Sequence, residues 1–386
     1  MKIETAFFLG AGFSREADLP VMQAFGKYSV SQLKSLINKH APGAEDPRKV
    51  APSLIENGDL FEAFRQYLRE HSPPMYRTFD HNNMEDIFAT AEMMRECGQN
   101  SIELKGSDVE ILRLIAAIKL WLWKIYQRIP IHNPDKYGID ASSYYKFVDI
   151  INDYGFDRLS IITTNYDMIL EYALHQKKIQ CCYPIDESHY NFYDLSKTDK
   201  RVACNWSKAK NSPVICKLHG SVNYFANPED NNGEYLKVIA DTAQKKIGES
   251  SISKKAPSIM ALDAPRLLSK ENLFPEIIPP TYAKLHGYAW LRDIWANALE
   301  AFVNAQKWIF IGYSLPNSDG FMKSFINTAL TMRKKGATPE IQLIDPDCDG
   351  MTKANYNRFF GEKNFLHQEL RFSEAVNSGF LQSLIV

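Results

Sequence analysis

An α/β architecture with a doubly wound parallel sheet and an all-helical insertion is predicted by three features of the chain. Five short apolar runs are spaced along it, each run closes on small or polar residues, and helical periodicity fills the gap between the first run and the second. Residues 3 to 9, IETAFFL, form the first run and end at Gly10-Ala11-Gly12, the pattern of a buried strand entering a glycine loop. The helix after this loop is short, because Pro20 stops or redirects it.

From about residue 25 to 150 the pattern turns helical. Met84, Ile87, Phe88 and Ala91 recur at spacings of three and four behind the capping candidates Asn82 and Asn83, and Val109 to Arg128 continues the pattern. Turn residues from Ala41 to Pro52 and from Pro130 to Gly138 separate the helices.

The second run, Leu159 to Thr164, is rich in β-branched residues and closes on Asn165-Tyr166-Asp167, with a helix expected from Met168 to His175. Val214 to Leu218 closes on His219-Gly220-Ser221. Trp308 to Ile311 breaks at Gly312-Tyr313-Ser314 before a helix starting near Asp319, and Glu340 to Ile344 closes on Asp345-Pro346. Ligands of open parallel sheets bind beyond the carboxyl ends of the strands, where these polar residues fall. Residues 223 to 280 carry no assignable pattern, and no internal repeat is present.

Composition excludes several classes. Lys and Arg total 45 against 46 Asp and Glu, so there is no overall field to draw in nucleic acid or an anionic membrane. The short basic runs Lys245-Lys246, Lys254-Lys255 and Arg333-Lys334-Lys335 read as solvated faces. The most apolar stretch, Val109 to Tyr126, contains Glu110, Arg113, Lys119 and Lys124, so it is a buried helix and not a membrane span of roughly 20 apolar residues. Cys97, Cys181, Cys182, Cys204, Cys216 and Cys348 form no CxxC pair, which fits reduced thiols and gives no zinc ribbon; no metal is expected. The opening Met1-Lys2-Ile3-Glu4-Thr5 runs straight into the first strand without an apolar leader, so a cytoplasmic protein is expected.

The polar strand ends supply the candidate chemistry. Gly10-Ala11-Gly12-Phe13-Ser14 either cradles a pyrophosphate on backbone N–H groups or makes a tight strand-to-helix turn. Arg15 stands where a dehydrogenase fingerprint has its third glycine, which disfavours that class. Asn165 offers an amide donor and a carbonyl acceptor to a ribose hydroxyl or a water; its bland alternative is a turn residue. Asp167 either orients such groups or caps the following helix. His219 titrates near neutral pH as a base should, and Gly220 after it leaves room for a ligand. Gly312 and Ser314 can receive another part of a dinucleotide, and Asp345 can accept from ribose hydroxyls, although each also reads as an ordinary turn residue. No Gly-x-Ser-x-Gly elbow or Walker A sequence occurs, so serine hydrolase and P-loop ATPase readings fail.

Taken in order, GAGFS at 10 to 14, TTNYD at 163 to 167, KLHGS at 217 to 221 and FIGYSLPNSD at 310 to 319 resemble the sirtuin family. GYSLPNSD and the helical insertion are most similar to the divergent sirtuin-like branch of bacterial antiphage systems. The resemblance covers residues 5 to 20 and about 155 to 350. It implies a Rossmann-like NAD-binding domain made of residues 1–24 and 145–386, interrupted by a helical insertion at 25–144. It also implies that Gly10, Ala11, Gly12 and Ser14 line the NAD phosphate loop and that Asn165 and Asp167 face the nicotinamide ribose. By the same resemblance His219 is the catalytic histidine, Gly312 and Ser314 hold the phosphate and ribose region, and Asp345 lies on the adenosine side, where protein deacylases usually present asparagine.

Two departures bear on the reaction. Sirtuin deacylases carry four zinc cysteines after the catalytic histidine, whereas only Cys348 follows His219 here. Met22-Gln23 stands where deacylases have a Phe-Arg-like pair. The expected activity is therefore NAD glycohydrolysis, giving nicotinamide and ADP-ribose, with Asn165 and His219 as the catalytic pair and NAD as substrate. The rivals are an NAD-dependent protein deacylase or ADP-ribosyltransferase, and a noncatalytic module that binds NAD or ADP-ribose. The resemblance further implies an effector of abortive infection, a homo-oligomer, and a separately encoded regulator such as a HerA-type ATPase or an Argonaute-like protein. Neither membrane association nor direct nucleic-acid binding is expected.

Overall fold

The computed structural model describes residues 3–17, 52–71, 83–128, 141–179, 181–186, 190–194, 212–226, 236–240, 274–278, 288–316, 319–334 and 336–385. Pro20, Met22-Gln23, Asn82, Cys204, the basic runs at 245–246 and 254–255, and the turn stretches at 41–51 and 130–138 lie outside them.

All five apolar runs form strands, in order β1 (Thr5–Leu9), β4 (Leu159–Thr163), β6 (Ile215–Lys217), β10 (Lys307–Ile311) and β11 (Glu340–Ile344). A sixth, β12 (Leu366–Gln368), completes a parallel sheet ordered β12-β11-β10-β1-β4-β6. Chain order along the sheet reverses between β1 and β10, the doubly wound arrangement with its switch point between those strands. β12 has only three residues, exposed or half-buried, so it lacks the apolar run that marks a buried strand.

Helices flank the strands. They are α1 (Ala11–Ser14), α2 (Pro52–His71), α3 (Met84–Glu96), α4 (Ile111–Arg128), α5 (Ser142–Tyr154), α6 (Ile169–Gln176), α7 (Ala289–Asn304), α8 (Gly320–Met332), α9 (Met351–Phe360), α10 (Phe372–Asn377) and α11 (Phe380–Ile385). Met84, Ile87, Phe88 and Ala91 are buried on one face of α3, as their spacing requires. Asp319 caps α8 by accepting from the Met322 N–H at 3.1 Å. Among the described residues between 52 and 128 the expected all-helical pattern is interrupted by one antiparallel hairpin, β2 (Ser101–Leu104) with β3 (Ser107–Glu110). Lys105-Gly106 joins these strands with both φ angles positive, the geometry of a two-residue hairpin turn. No helix among the described residues is long and apolar enough to cross a membrane.

Part of the segment without a sequence pattern joins an earlier strand in a second sheet, ordered β5 (Tyr190–Asp194), β8 (Leu236–Ala240), β7 (Gly220–Ala226), β9 (Phe274–Ile277). In the run Arg333-Lys334-Lys335, Arg333 is not a free surface cation. Its Nη1 donates to the carbonyls of Phe302, Val303 and Ala305, closing the C-terminal end of α7.

Helix α4 braces the second sheet. Trp123 Nε1 donates to the Val222 carbonyl at 2.9 Å, and Lys119 Nζ pairs with Glu276 Oε2 of β9 at 3.3 Å, both groups buried. Removing one partner of a buried pair strands the other charge. Lys119→Met is therefore expected to lower unfolding free energy by about 3–5 kcal/mol in urea titrations, and Lys119→Met with Glu276→Gln by less. A single-variant loss below about 1 kcal/mol, the size of an exposed pair, would contradict this burial.

Candidate functional site at the sheet switch point

The strands end level. Leu9 is in register with Ile311 and Thr163, Thr163 with Lys217, and Ile311 with Ile344. The next residues, Gly10, Gly312, Thr164, Leu218 and Asp345, therefore form a row at the carboxyl edge, with Asn165 and His219 one residue beyond it. Parallel pairing alone achieves this, because each paired row advances the strands by one common step.

At the switch point the two glycine loops interlock. The Gly10 N–H donates to the Ile311 carbonyl at 2.9 Å, and the Gly12 N–H to the Gly312 carbonyl at 2.8 Å. A Cβ at Gly10 would stand 2.4 Å from the Gly312 oxygen, and one at Gly12 2.6 Å from the Gly312 Cα. Gly312 itself has φ +61°. The glycines at 10, 12 and 312 thus serve one another first, and two of the N–H groups read from sequence as phosphate donors are already spent. Ala11 and Gly12 remain half-buried at the first turn of α1.

Asn165 ties this loop to β4. Its Nδ2 donates to the Gly10 carbonyl at 2.8 Å and to Ser14 Oγ at 3.0 Å, and its N–H donates to Thr163 Oγ1 at 3.0 Å. Because a carbonyl only accepts, the Gly10 oxygen fixes which way the amide points. Asn165 Oδ1, an acceptor, is therefore the group it can turn to a water or a ribose hydroxyl. Ser14 is buried and its hydroxyl also hydrogen-bonds the Asp167 carboxylate, so Asn165, Ser14 and Asp167 are joined through one oxygen.

Asp167 performs both roles considered from sequence. Its Oδ1 accepts from the Ile169 N–H at 3.0 Å at the start of α6, while the carboxylate also receives Ser14. Burial raises its pKa above its ordinary value, against the opposing pull of Lys217 and its two hydrogen bonds.

His219 is fully buried, its ring 6.2 Å from that of Tyr166 and 6.5 Å from that of Trp295. Its carbonyl accepts from the Ile278 N–H at 2.9 Å, and the Ile278 carbonyl accepts from Tyr166 Oη at 3.2 Å. Tyr166, adjacent to Asn165 in the chain, thus links the Asn165 turn to the end of β9 that is bonded to His219. Gly220 does not leave open room. At φ +76° its missing Cβ would lie 2.0 Å from the Glu276 carbonyl oxygen, so β9 fills that space.

Ser314 and Asp345 flank Gly312. The Ser314 carbonyl accepts from Asn355 Nδ2 at 3.0 Å, and Tyr356 Oη donates to the Tyr313 carbonyl at 3.0 Å. Tyr313 Oη donates to Asp319 Oδ2 at 2.7 Å, so β10, α8 and α9 hold this loop. Leu315 is fully buried with φ +45°, a left-handed backbone that costs a bulky residue on the order of 1–3 kcal/mol and persists because the packing around it holds it. Asp345 is half-buried, turned back on the Asp347 N–H at 2.8 Å, and burial raises its pKa.

Sequence reasoning missed Lys217, Glu171, Tyr144 and Trp295. Trp295 Nε1 donates to the Leu218 carbonyl at 2.9 Å, and Tyr144 Oη to the Phe13 carbonyl at 2.7 Å. Only Lys217 left a signal, a charge inside the apolar run VICKL. Among the described residues no group of three His, Cys, Asp or Glu side chains gathers as a metal would require.

The family model for the SIR2-like domain matches residues 159–367, more than half of the chain. No curated protein matches the sequence. Among solved structures, Sir2Tm bound to a propionylated peptide is similar at 10% identity and a TM-score of 0.38, over 100% of this chain and 95% of that one. Sir2 in complex with an inhibitor, 2'-O-acetyl-ADP-ribose and a deacetylated peptide gives 12% and 0.33, over 99% and 95%. Sir2 bound to acetylated peptide also gives 12% and 0.33, over 100% and 95%. With its strand order, the switch-point loops and the family match over β4 to β12, the chain belongs to the SIR2-like domain family.

Proposed function

We propose that this protein is an NAD glycohydrolase that cleaves the nicotinamide–ribose bond and passes the ribosyl carbon to water. Membership of the SIR2-like family supports NAD-dependent chemistry. The observation that carries the reading is the Asn165 side chain, which spends both N–H groups on the glycine loop and keeps its carbonyl for an acceptor water. Nicotinamide departs through an oxocarbenium-like transition state. Asn165 Oδ1 accepts a hydrogen bond from the incoming water, and His219 takes the proton from that water or from a ribose hydroxyl, a role worth roughly 10²–10⁴ in rate. Ala11 meets the phosphates at the first turn of α1, where Gly12 lets them approach by lacking a side chain, while Ser314 meets the ribose and phosphate region and Asp345 the adenosine ribose.

Water as acceptor is supported by the chain after His219, where Cys348 is the lone cysteine and a four-cysteine zinc site cannot form. The resemblance to antiphage proteins supports a defence role in which loss of NAD halts an infected cell. Such an activity has to be held off until triggered, by self-association or by a separately encoded ATPase or Argonaute-like partner. Residues 25–144 form the insertion such a partner would meet, with residues 1–24 and 145–386 as the catalytic domain.

Purified protein incubated with NAD, alone and with candidate partners, is expected to release nicotinamide and ADP-ribose in equal amounts on chromatography. NAD binding with no nicotinamide release, alone or in any activated complex, would overturn the reading. O-acetyl-ADP-ribose or labelled protein as product would move it to deacylation or ADP-ribosyl transfer.

A further inference from the structure

Beneath the site lies a cation that the proposed reaction does not use. Lys217, on β6 and two residues before His219, is 1% exposed. Its Nζ donates to Glu171 Oε1 on α6 at 2.8 Å and to the backbone carbonyl of Asp167. The same Glu171 oxygen accepts from Tyr183 Oη at 3.1 Å, and Asn223 Nδ2, on the strand that follows His219, donates to that hydroxyl at 3.2 Å. One buried network therefore joins the Asn165–Asp167 turn, α6, and the strands on either side of His219.

Such a pair is poorly explained as a source of stability. Burying two charges costs desolvation that their attraction barely repays, and apolar replacements of equal volume commonly serve a fold as well or better. What an apolar pair lacks is a directed donor to a loop carbonyl, and here that carbonyl belongs to the turn carrying the proposed catalytic asparagine.

We infer that Lys217 is a positioning residue of this site: its ammonium locks the Asn165–Asp167 turn against the strand end that delivers His219. The inference deepens the NAD-cleavage reading and rests on it for the reaction concerned. Lys217 has a second effect through charge. The groups facing the Asp167 carboxylate are Lys217 from β6, Glu171 from α6, Tyr144 from α5 and the Ser14 hydroxyl from α1. Lys217 opposes the rise caused by burial more strongly than Glu171 adds to it, so it favours the ionised form that accepts from both Ser14 and Ile169.

The test is the full-length pair variant Lys217→Met with Glu171→Gln, which removes both charges together and strands neither. Nicotinamide release is expected to fall roughly tenfold to a hundredfold in kcat with KM within about threefold, the signature of misplaced groups. The acid limb of the kcat profile is expected to move to higher pH, because Asp167 loses the cation that opposes its protonation. Lys217→Arg, which keeps the charge, is expected to keep the wild-type acid limb. A pair variant with altered melting but wild-type kcat and acid limb would show that Lys217 only holds the fold. If the wild type binds NAD yet releases no nicotinamide, the glycohydrolase reading has failed, and NAD titrations against pH decide about Lys217. An upward-shifted acid limb of binding in the pair variant supports it, and an unshifted limb overturns it.

Discussion

His219→Ala is expected to reduce nicotinamide release by roughly 10²–10⁴-fold while leaving the NAD dissociation constant within about threefold of the wild type, the pattern of a lost general base. The backbone at His219 supports this separation. Its carbonyl, which receives the Ile278 N–H, survives the substitution, so the β9 contact persists when the ring is removed. Asn165→Ala is expected to behave differently. It removes the Nδ2 bonds to Gly10 and Ser14 as well as the acceptor for water, so rate, NAD affinity and melting temperature should all fall. Losing two such bonds in a half-buried setting costs on the order of 1–3 kcal/mol. Calorimetric NAD binding beside product chromatography separates the variants. Identical losses of affinity in both would refute the division into a base and a loop-anchoring water holder.

Gly312→Ala is expected to disable the site from behind. Its Cβ would lie 2.4 Å from the Phe13 backbone nitrogen and 2.5 Å from Gly12 backbone atoms, and neither side can retreat without moving β1 or β10. Overpacking of this kind costs about 1–3 kcal/mol. The left-handed backbone at φ +61° adds about 1–2 kcal/mol for any residue with a Cβ. Gly350→Ala is the internal control. Gly350 also has positive φ, +72°, but nothing lies within 4 Å of its Cβ position, so that variant bears the backbone cost alone. Thermal melts should therefore place Gly312→Ala well below Gly350→Ala, and only the former should lose NAD binding. Equal melts and intact binding in both would show that the loops can part without consequence.

The elements that follow from local pattern are those whose residues report their own surroundings. β1, β4, β6, β10 and β11 announce themselves because both faces are buried, which makes nearly every position apolar. The polar residue after each run is equally visible, since a strand that leaves the core must satisfy its backbone. Asn165, His219 and Asp345 are legible on that ground, and Gly312 as the small residue in the same place. β12 and the second sheet left no such mark. β12 is neither apolar nor alternating, and β9 is held by pairing with β7 about 50 residues earlier, with a register shift between Gly220 and Phe225.

The sequence by itself determined the strand ends, the order of the four motifs and hence the family, because these depend on residue type and spacing along the chain. Only the tertiary structure decided what the residues at those ends do. Gly12 and Gly312 are about 300 positions apart, yet each occupies the space the other's side chain would need. Lys217 looks misplaced in its strand until Glu171 and the Asp167 carbonyl are brought beside it. A side chain's chemistry is written locally, but its partners, burial and free hydrogen-bonding groups are set by contacts the chain makes only when the sheet closes around them.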